Sequence, residues 1–311
     1  MKTYLVTGGA GFIGSHITTA LLERGDRVRV LDNLSTGKRG NLEHVSSKIE
    51  MVDGDLTDRA AVERAMQGVE VVFHQAALAS VPRSVAQPLD TNAACVTGTV
   101  NILDAARQSG VRRLVYAASS SAYGDQQAPV KSERLMPAPI SPYAAAKLAG
   151  EYYCQAFTAT YGLETVALRY FNVFGPRQDP QGAYAAVIPK FIVEMLAGRQ
   201  PTIFGDGTQS RDFVYVGDVV RANLLASEST KGVGKTINVA SGRQYSLLDV
   251  VEAINRVLGT EIQPKLSEPR VGDVRDSLAD ISLAKELLGY EPTVKFDDGL
   301  RRTVEDFQAR T

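Results

Sequence analysis

Short apolar runs alternate with amphipathic helical stretches through the first half of the chain. Val, Ile, Leu and Tyr cluster in runs that predict strands at 2–7, 27–32, 49–52, 69–74, 114–118 and 165–169. Between these runs, apolar residues recur at helical spacing over roughly 12–24, 58–67, 91–109 and 143–160. Strands that alternate with helices are typical of a parallel sheet with helices on both faces. The pattern therefore predicts an α/β fold with a doubly wound, Rossmann-type parallel sheet.

The pattern changes after residue 170. Segments rich in Gly, Pro, Gln and Asp follow at 176–189 and 199–212, and later come a helical pattern at 245–258 and a Pro- and Arg-containing stretch at 268–280. The first two segments are typical of loops, and the last two indicate a small additional lobe. We therefore predict a first domain over 1–169, to which the chain returns around 209–240, and a smaller C-terminal lobe over 170–311.

Three glycines, Gly8, Gly11 and Gly14, follow the first apolar run and open the first helical pattern. Glycine allows a tight turn and a close approach of backbone to a ligand, and the helix N-terminus presents N–H groups to a pyrophosphate. Asp32 ends the second run, where a carboxylate can accept hydrogen bonds from an adenosine ribose and repels the additional phosphate of NADP. These features predict that the first domain binds NAD.

The residues around this predicted cofactor site leave two questions open. Lys38 and Arg39 form a basic loop that could meet a 2′-phosphate, although a solvated turn is the interpretation that we favour. Asp55 follows the third run and faces either the adenine amino group or, as a cap, the start of the helix predicted over 58–67. The small residues Ala76 and Ala77 leave room for a flat ribose and ring beside the backbone.

Composition and charge argue against several other classes of protein. The formal net charge is −1 at pH 7, which gives no reason to expect nucleic acid or an anionic membrane as partner. No apolar run reaches membrane-spanning length, and the predicted strand 2–7 already begins at the second residue. We therefore expect a cytoplasmic protein without a signal peptide. Cys95 and Cys154 lie in helical patterns and are expected to be reduced core residues. The histidines, His16, His44 and His74, lack metal-ligand spacing, so we expect no metal site.

Tyr143 and Lys147 are four residues apart in a helical pattern and therefore share one face of the helix. A free phenol titrates near pH ~10, but an adjacent ammonium and a positively charged nicotinamide ring favour the phenolate, which can then act as a general base. The same pair also occurs by chance on amphipathic helices. Here it follows a strand that ends in Ser119, Ser120 and Ser121, whose hydroxyls lie beside the nicotinamide or merely cap a turn. Together with the glycines, the pair indicates an NAD-dependent enzyme.

These residues stand in motifs that run nearly the whole length of the chain. The motifs are TGGAGFIG, DNLSTG, DGDLTD, SVPRS, SSSAYG, SPYAAAK, LRYFNVFGPRQDP, GDGTQSRDFVYVGD and RVGDVRDSLADIS. With them the chain resembles the extended short-chain dehydrogenase/reductase superfamily and, within it, the nucleotide-sugar 4-epimerases that act on UDP-glucose or UDP-N-acetylglucosamine. The first three motifs are typical of the whole superfamily, and the last ones narrow the resemblance to enzymes of sugar nucleotides.

The resemblance implies a reaction at C4 of a UDP-sugar. Tyr143, as phenolate, takes the proton from the 4-hydroxyl while C4 passes hydride to NAD⁺, and Ser119 and Ser121 hydrogen-bond the reacting oxygen. Lys147 holds the nicotinamide ribose and lowers the pKa of the tyrosine. The 4-keto sugar then turns about its diphosphate and receives the hydride on its opposite face. The implied catalytic residues are therefore Ser119, Tyr143 and Lys147.

The resemblance also implies residues for each ligand. Asn172 should contact the sugar nucleotide near its phosphates, Arg211 and Arg270 should pair with the diphosphate, and Asp273 should bind the uridine ribose. Each arginine taken alone is equally typical of a surface ion pair. The implied cofactor residues are Gly8, Gly11, Phe12, Ile13, Gly14, Asp32, Asn33, Asp55, Leu56, Gln75, Ala76, Ala77, Asn92, Tyr143, Lys147 and Tyr170.

The chain departs from such relatives at two positions. Ala79 stands where many glucose/galactose epimerases carry a lysine, so a ribose contact is missing or is supplied by backbone. Ser277 stands where some epimerases carry a tyrosine that narrows the sugar pocket. We hypothesise that Ser277 is a substrate-binding residue whose small size leaves space for a 2-N-acetyl group. A loop serine without a steric role is the alternative.

The resemblance leaves several alternatives open. It implies a homodimer that forms a four-helix bundle through helices 91–109 and 143–160, although such helices could equally cover the sheet of a monomer. A UDP-glucuronate 4-epimerase or decarboxylase needs polar groups for the 6-carboxylate, and Arg83 could supply one. A 4,6-dehydratase usually carries Asp-Glu after its catalytic hydroxyl, where this chain has Ser120 and Ser121, so dehydration is disfavoured. A regulator that binds NAD without turnover typically lacks the Tyr/Lys pair.

Overall fold

A computed structural model describes residues 2–180, 186–268 and 275–310 of the chain. The strands are β1 (Thr3–Thr7), β2 (Arg27–Asp32), β3 (Ile49–Asp53), β4 (Val71–His74), β5 (Arg113–Ser119), β6 (Glu164–Tyr170), β7 (Asn172–Phe174), β8 (Thr202–Phe204), β9 (Ser210–Arg211), β10 (Phe213–Tyr215), β11 (Lys235–Val239), β12 (Tyr245–Ser246) and β13 (Lys265–Ser267). The helices are α1 (Phe12–Glu23), α2 (Arg59–Met66), α3 (Val81–Ala86), α4 (Pro88–Asn92), α5 (Gly98–Gln108), α6 (Pro142–Tyr161), α7 (Val187–Leu196), α8 (Val216–Glu228), α9 (Leu247–Leu258), α10 (Ser282–Leu288) and α11 (Phe296–Arg310).

Within the described residues, seven parallel strands form the central sheet in the order β11-β6-β5-β4-β1-β2-β3. Apolar side chains of α1, α8 and α10 fill one face of this sheet, and those of α2, α5 and α6 fill the other. The buried strands carry apolar residues on both faces, as expected of a parallel sheet. The predicted doubly wound α/β fold is confirmed.

Polar caps fix the ends of the helices that matter for the site. Ser141 accepts a hydrogen bond from the Ala144 N–H at 3.2 Å and Pro142 occupies the first turn, so α6 begins one residue before Tyr143. Gly162 ends α6 in the left-handed conformation. Asp58 caps α2 through the N–H groups of the next turn.

The helix predicted over 91–109 differs from the observed one. It begins earlier, at Pro88, and the segment Ala93–Thr97 between α4 and α5 is a π-helix in which the Gly98 N–H bonds the Ala93 carbonyl. A Cβ atom at Gly98 would lie 2.6 Å from the Leu56 Cβ, so this part of the helix lies against the loop that follows β3. Apolar periodicity does not reveal such a contact.

A second core lies outside the sheet. Apolar residues of α7, α9 and α11 pack together with β8 and β10, and short strand pairs β7–β10, β8–β13 and β9–β12 lie at its border. Arg177 joins this region to α1. Its Nη1 donates to the Ser15 carbonyl and to the Thr19 hydroxyl, at 3.1 Å each. Its backbone N–H donates to the Asp306 carboxylate at 3.0 Å. The strand β11 returns to the edge of the central sheet.

A search of the described part of the chain found no helix with the length and apolarity needed to cross a membrane. Cys95 and Cys154 are both buried free thiols.

Candidate active site

A cleft opens at the carboxyl ends of the central strands. Of the predicted cofactor residues, those that line it are Gly8, Gly11, Phe12, Ile13, Gly14, Asp32, Asn33, Asp55, Leu56, Gln75, Ala76, Ala77, Tyr143, Lys147 and Tyr170. A sheet of this topology binds its ligand at this edge, where the order of the strands reverses between β1 and β4. The fold thus brings together residues that are up to 162 positions apart in the sequence.

Asn92 is the predicted cofactor residue that lies outside this lining; its side chain is exposed. Ala94, in the π-helical segment, lines the cleft, and the cofactor contact of Asn92 stays a prediction. Sequence reasoning also missed other lining residues, among them Ser35, Thr36 and Gly37. Gly37 was the residue that could have indicated this part of the lining. A Cβ atom there would lie 2.9 Å from both carboxylate oxygens of Asp32, so the position requires glycine.

The glycine-rich turn leaves no space for side chains. Gly8 has φ +67°, and a Cβ atom there would lie 2.7 Å from the Ala76 backbone. A Cβ atom at Gly14 would lie 2.1 Å from the Gly8 carbonyl oxygen. The backbone therefore closes tightly between β1 and α1, and the N-terminal end of α1 faces the cleft, as a dinucleotide pyrophosphate requires.

The Asp32 side chain is buried at the end of β2 and held by backbone. Its oxygens accept hydrogen bonds from the N–H groups of Ala10 at 2.9 Å and Leu34 at 2.8 Å. The basic residues nearby are paired with carboxylates, Lys38 with Asp179 at 3.0 Å and Arg39 with Asp53 at 2.9 Å. The carboxylate of Asp32, with Lys38 and Arg39 already paired to other carboxylates, suits ribose hydroxyls better than a 2′-phosphate. The residues therefore fit NAD.

Asp55 adopts the capping role that we left open. One carboxylate oxygen accepts hydrogen bonds from the Thr57 N–H at 2.8 Å and the Thr57 hydroxyl at 2.6 Å, and the other accepts one from the Asn33 amide at 2.6 Å. These bonds, that of the Thr57 hydroxyl foremost, hold the pKa of Asp55 below its ordinary value. Asp55 also lines the cleft, so the contact with adenine remains a prediction.

The reactive residues converge at the end of β5. Ser119 is the last residue of β5 and hydrogen-bonds the phenol of Tyr143. The Ser121 hydroxyl donates to the Ser119 hydroxyl at 2.8 Å, and Lys147 Nζ donates to the Ala117 carbonyl at 2.8 Å. The Lys147 side chain is buried below the half-buried Tyr143. The arrangement therefore places the phenol and the ammonium in the lining of the cleft, with the hydroxyl pair beside the phenol.

Burial is the largest influence on the pKa values of Tyr143 and Lys147. Burial raises the pKa of Tyr143 to about 12, and the hydrogen bond of Ser119 offsets this only in part. Burial also lowers the pKa of Lys147, whose ammonium is bonded to the carbonyl of Ala117. A phenol with this pKa is protonated at neutral pH, and the effect of Lys147 on it beside a bound nicotinamide ring stays a prediction.

A second cavity lies between β7, α7 and β10. Its lining includes Asn172 and Arg211 together with the aromatic side chains Phe174, Phe191, Phe204 and Phe213. Arg211 donates through Nη1 to the carbonyls of Ser210 and Arg275, at 2.9 Å each. Two other residues predicted to bind the substrate, Arg270 and Asp273, lie outside the described residues.

Ser277 lies beside this second cavity and is held by hydrogen bonds. Its hydroxyl oxygen accepts from the Asn172 amide at 3.3 Å and from the Asp212 N–H at 3.4 Å. The Asn172 amide also donates to the Asp212 carbonyl at 3.1 Å. Ser277 therefore contacts one of the predicted substrate residues, which gives it a structural role beyond the steric one in our hypothesis.

Ala79 and Arg83 are the residues that bear on the missing ribose contact and on the acidic-sugar alternatives. Ala79 lines it, with no side chain that could reach a ribose. Arg83 Nε donates to the Gln87 side-chain oxygen at 3.3 Å, and Arg83 lies outside the lining found among the described residues. In the parts of the chain that the structure describes, no group of three His, Cys, Asp or Glu could hold a metal ion.

The model of the NAD dependent epimerase/dehydratase family matches residues 4–240. A curated relative, the UDP-glucose 4-epimerase of Mycolicibacterium smegmatis, is 41% identical over the full length of both chains. Among solved structures, the UDP-N-acetylglucosamine 4-epimerase of Methanobrevibacter ruminantium M1, in complex with UDP-N-acetylmuramic acid, is 43% identical with a TM-score of 0.95, and covers 100% of this chain and 99% of its own. The UDP-glucose 4-epimerase of Thermus thermophilus, in complex with NAD, is 40% identical with a TM-score of 0.90, and covers 99% and 100%.

Proposed function

Because the chain belongs to the NAD dependent epimerase/dehydratase family, we propose that it is an NAD-dependent 4-epimerase of UDP-sugars, UDP-glucose or UDP-N-acetylglucosamine and their C4 epimers. The observation that carries this function is that Tyr143, with Ser119 beside it, and Lys147 share one cleft with the glycine-rich turn. The three relatives described above, which are 40–43% identical over nearly the whole chain, carry a UDP-sugar 4-epimerase activity in their names.

Tyr143, Ser119 and Lys147 each have a separate role in the proposed reaction. Tyr143 removes the proton from the sugar 4-hydroxyl and returns it after the sugar has turned, and Ser119, held by Ser121, donates a hydrogen bond to the reacting oxygen. Lys147, which lines the same cleft, binds the nicotinamide ribose. A bound NAD⁺ would supply the hydride acceptor and donor for C4 and a positive ring charge that favours the phenolate. The product is the C4 epimer, without net oxidation.

The cofactor is held by the residues that line the cleft. Asp32 binds the adenosine ribose, and the backbone of Gly11 to Gly14 binds the pyrophosphate. The second cavity takes the nucleotide part of the sugar: its aromatic side chains cover the base, and Asn172 and Arg211 lie where the phosphates enter. This division follows our prediction of an NAD-binding domain over 1–169 and a substrate lobe over 170–311.

The function is tested with the purified protein and a panel of UDP-sugars, without added cofactor. We expect UDP-glucose or UDP-N-acetylglucosamine to be converted to a mixture with its C4 epimer, as resolved by NMR, with no net NADH. Release of carbon dioxide from UDP-glucuronate would select a decarboxylase, and release of water would select a dehydratase. NAD binding without turnover of any sugar would contradict the proposal and select a regulator.

The acidic-sugar alternatives receive less support from the geometry. A uronate enzyme needs a cation or several hydroxyls at the 6-carboxylate, and Arg83 is bonded to Gln87. A dehydratase needs an acid-base pair after the catalytic hydroxyl, where Ser120 and Ser121 begin a 3₁₀ turn. The neutral hexose and its N-acetylated form are therefore the substrates that we propose.

Replacing Ser277 tests whether its size admits the N-acetyl group. We expect Ser277→Tyr to lower kcat/KM for UDP-N-acetylglucosamine by about tenfold or more, with a smaller effect on UDP-glucose, because the ring fills the space beside Asn172. Ser277→Ala is the control: it removes the hydroxyl that bonds Asn172 and Asp212 but adds no bulk, so the ratio of the two substrates should not change. A variant Ser277→Tyr that spares the acetylated substrate would refute the steric role.

We also propose a homodimer formed through α6 and the helical stretch from α4 to α5. The helices α3, α4 and α6 pack against one another, and they carry large apolar side chains in contact with solvent, with exposed fractions of 65% at Val85, 83% at Leu89 and 52% at Tyr152. Apolar groups clustered in this way are typical of interfaces.

A cytoplasmic location, in which the free thiols of Cys95 and Cys154 stay reduced, belongs to the same proposal.

Leu89→Glu is expected to convert the dimer to a monomer, because a charge at the centre of an apolar interface cannot be solvated there. Light scattering coupled to size-exclusion chromatography measures the mass. The matched control is Leu266→Glu on β13, where the exposed fraction is 55%, and this change should leave the mass unaltered. Equal masses for the wild type and both variants would place the interface elsewhere or exclude it.

A further inference from the structure

His74 is the last residue of β4, and its side chain is fully buried directly below the cleft. Its Nδ1 lies 2.7 Å from the Thr7 hydroxyl on β1, and its Nε2 lies 3.0 Å from the Thr99 hydroxyl on α5. Both ring nitrogens therefore have a partner, and the two partners come from elements on either side of the strand.

The hydrogen bonds around the ring specify one tautomer. The Thr99 hydroxyl donates to the Cys95 carbonyl at 2.7 Å, so it must accept from an Nε2–H of His74. Nδ1 is then unprotonated and accepts from the Thr7 hydroxyl, whose oxygen in turn accepts from the Ala76 N–H at 3.3 Å. A second ring proton would face the hydroxyl proton of Thr7. The arrangement therefore holds a neutral imidazole.

Each end of this chain of bonds reaches backbone that lines the cleft. Thr7 is followed by Gly8, His74 is followed by Gln75, Ala76 and Ala77, and Cys95 follows Ala94; all of these neighbours line the cofactor cleft. We propose that His74, as a neutral imidazole, is a positioning residue that holds these three cofactor-lining segments in register. This inference rests on the NAD-binding part of the proposed function.

The surroundings of the ring oppose its protonation. Tyr116 of β5 packs against it with ring centroids 5.6 Å apart, and Lys147 Nζ lies 5.0 Å from the Tyr116 ring on the same side. The Cys95 thiol is buried near Thr99, and Glu151, which acts on Lys147, is paired with Arg169. Burial, with the charge of Lys147 second, lowers the pKa of His74 to about 3.

Protonation of His74 sets the direction of the pH effect on the closed site. The ordinary pKa of histidine is 6.5, so an unfolded or opened chain binds a proton at His74 as the pH falls below that value, whereas the closed site does not until about 3. The contribution of His74 to the closed site is therefore complete above pH 6.5 and decreases as the pH falls toward 3. NAD held by this site should be released faster in the same range.

The experiment measures the rate at which the holoenzyme releases NAD, from about pH 8 to about pH 4. His74→Leu removes both hydrogen bonds and should release NAD about tenfold faster or more at the upper end of the range. His74→Gln offers one acceptor and one donor but cannot be protonated; it should restore retention and show a flatter increase in rate toward low pH than the wild type. His44→Gln, on an exposed ring away from the cleft, should behave like the wild type.

Two results would overturn the proposal: wild-type retention in His74→Leu, or the same acid-dependent release in His74→Gln as in the wild type. If His74→Leu does not fold, Thr99→Val decides, because it keeps the ring and removes only the acceptor of Nε2–H; faster release is expected, and wild-type retention refutes the role. A wild-type protein that binds no NAD at all would instead refute the proposed function.

Discussion

Replacing Tyr143 by phenylalanine is expected to lower kcat by about 10²–10⁴-fold and to leave NAD bound. The change removes the hydroxyl that exchanges a proton with the sugar, but it keeps the ring that lines the cleft. The binding of NAD depends on Asp32 and the glycine turn, which are far from this hydroxyl along the cleft. Rates with UDP-sugar and the NAD content of the purified variant give the two parts of the result.

The pH dependence of kcat adds an independent readout. Tyr143 works as a phenolate, and burial raises its pKa to about 12 in the chain without cofactor. Turnover by the wild type should therefore rise with pH up to the pKa that the phenol has in the complex, which positive charge near the ring places below 12. The phenylalanine variant should lack this rise. Tyr161→Phe, at the exposed end of the same helix, is the matched control. Wild-type rates in Tyr143→Phe would remove the phenol from the mechanism.

Glu151→Gln is expected to reduce the free energy of unfolding by about 3–5 kcal/mol. Glu151 lies two turns after Tyr143 on α6, and its two carboxylate oxygens accept hydrogen bonds from Arg169 Nε at 2.9 Å and Nη2 at 2.7 Å. The side chains are 1% and 5% exposed. Removing one partner leaves the guanidinium buried against Tyr123 without its counter-charge, and this loss dominates the effect. Urea unfolding followed by circular dichroism measures it.

Two further variants separate this mechanism from a general sensitivity to mutation. Glu194→Gln breaks the exposed pair with Arg199 and should leave the unfolding midpoint nearly unchanged, because solvent screens such pairs. Glu151→Leu combined with Arg169→Met removes both buried charges and should recover most of the stability lost in Glu151→Gln. If the double variant is no more stable than the single one, the uncompensated charge is not the cause.

The sequence was sufficient for features that depend on local spacing. Alternating runs gave the order of strands and helices, because backbone geometry fixes a period of ~2 in strands and ~3.6 in helices. The same period placed Tyr143 and Lys147 on one face of α6, and Ser119 at the end of the preceding strand. The glycine turn was also readable, since positive φ and close backbone contact exclude other residues.

The tertiary structure decided what depends on contacts between distant segments. Asn92 is exposed and a π-helical segment follows it, and Ser277 is bonded to Asn172. His74, which the sequence presented only as a histidine without metal spacing, lies between Thr7 and Thr99. The pKa of Tyr143 followed burial rather than its neighbour on the helix. Desolvation and hydrogen bonding are set by whatever packs around a side chain, and local periodicity does not contain that information.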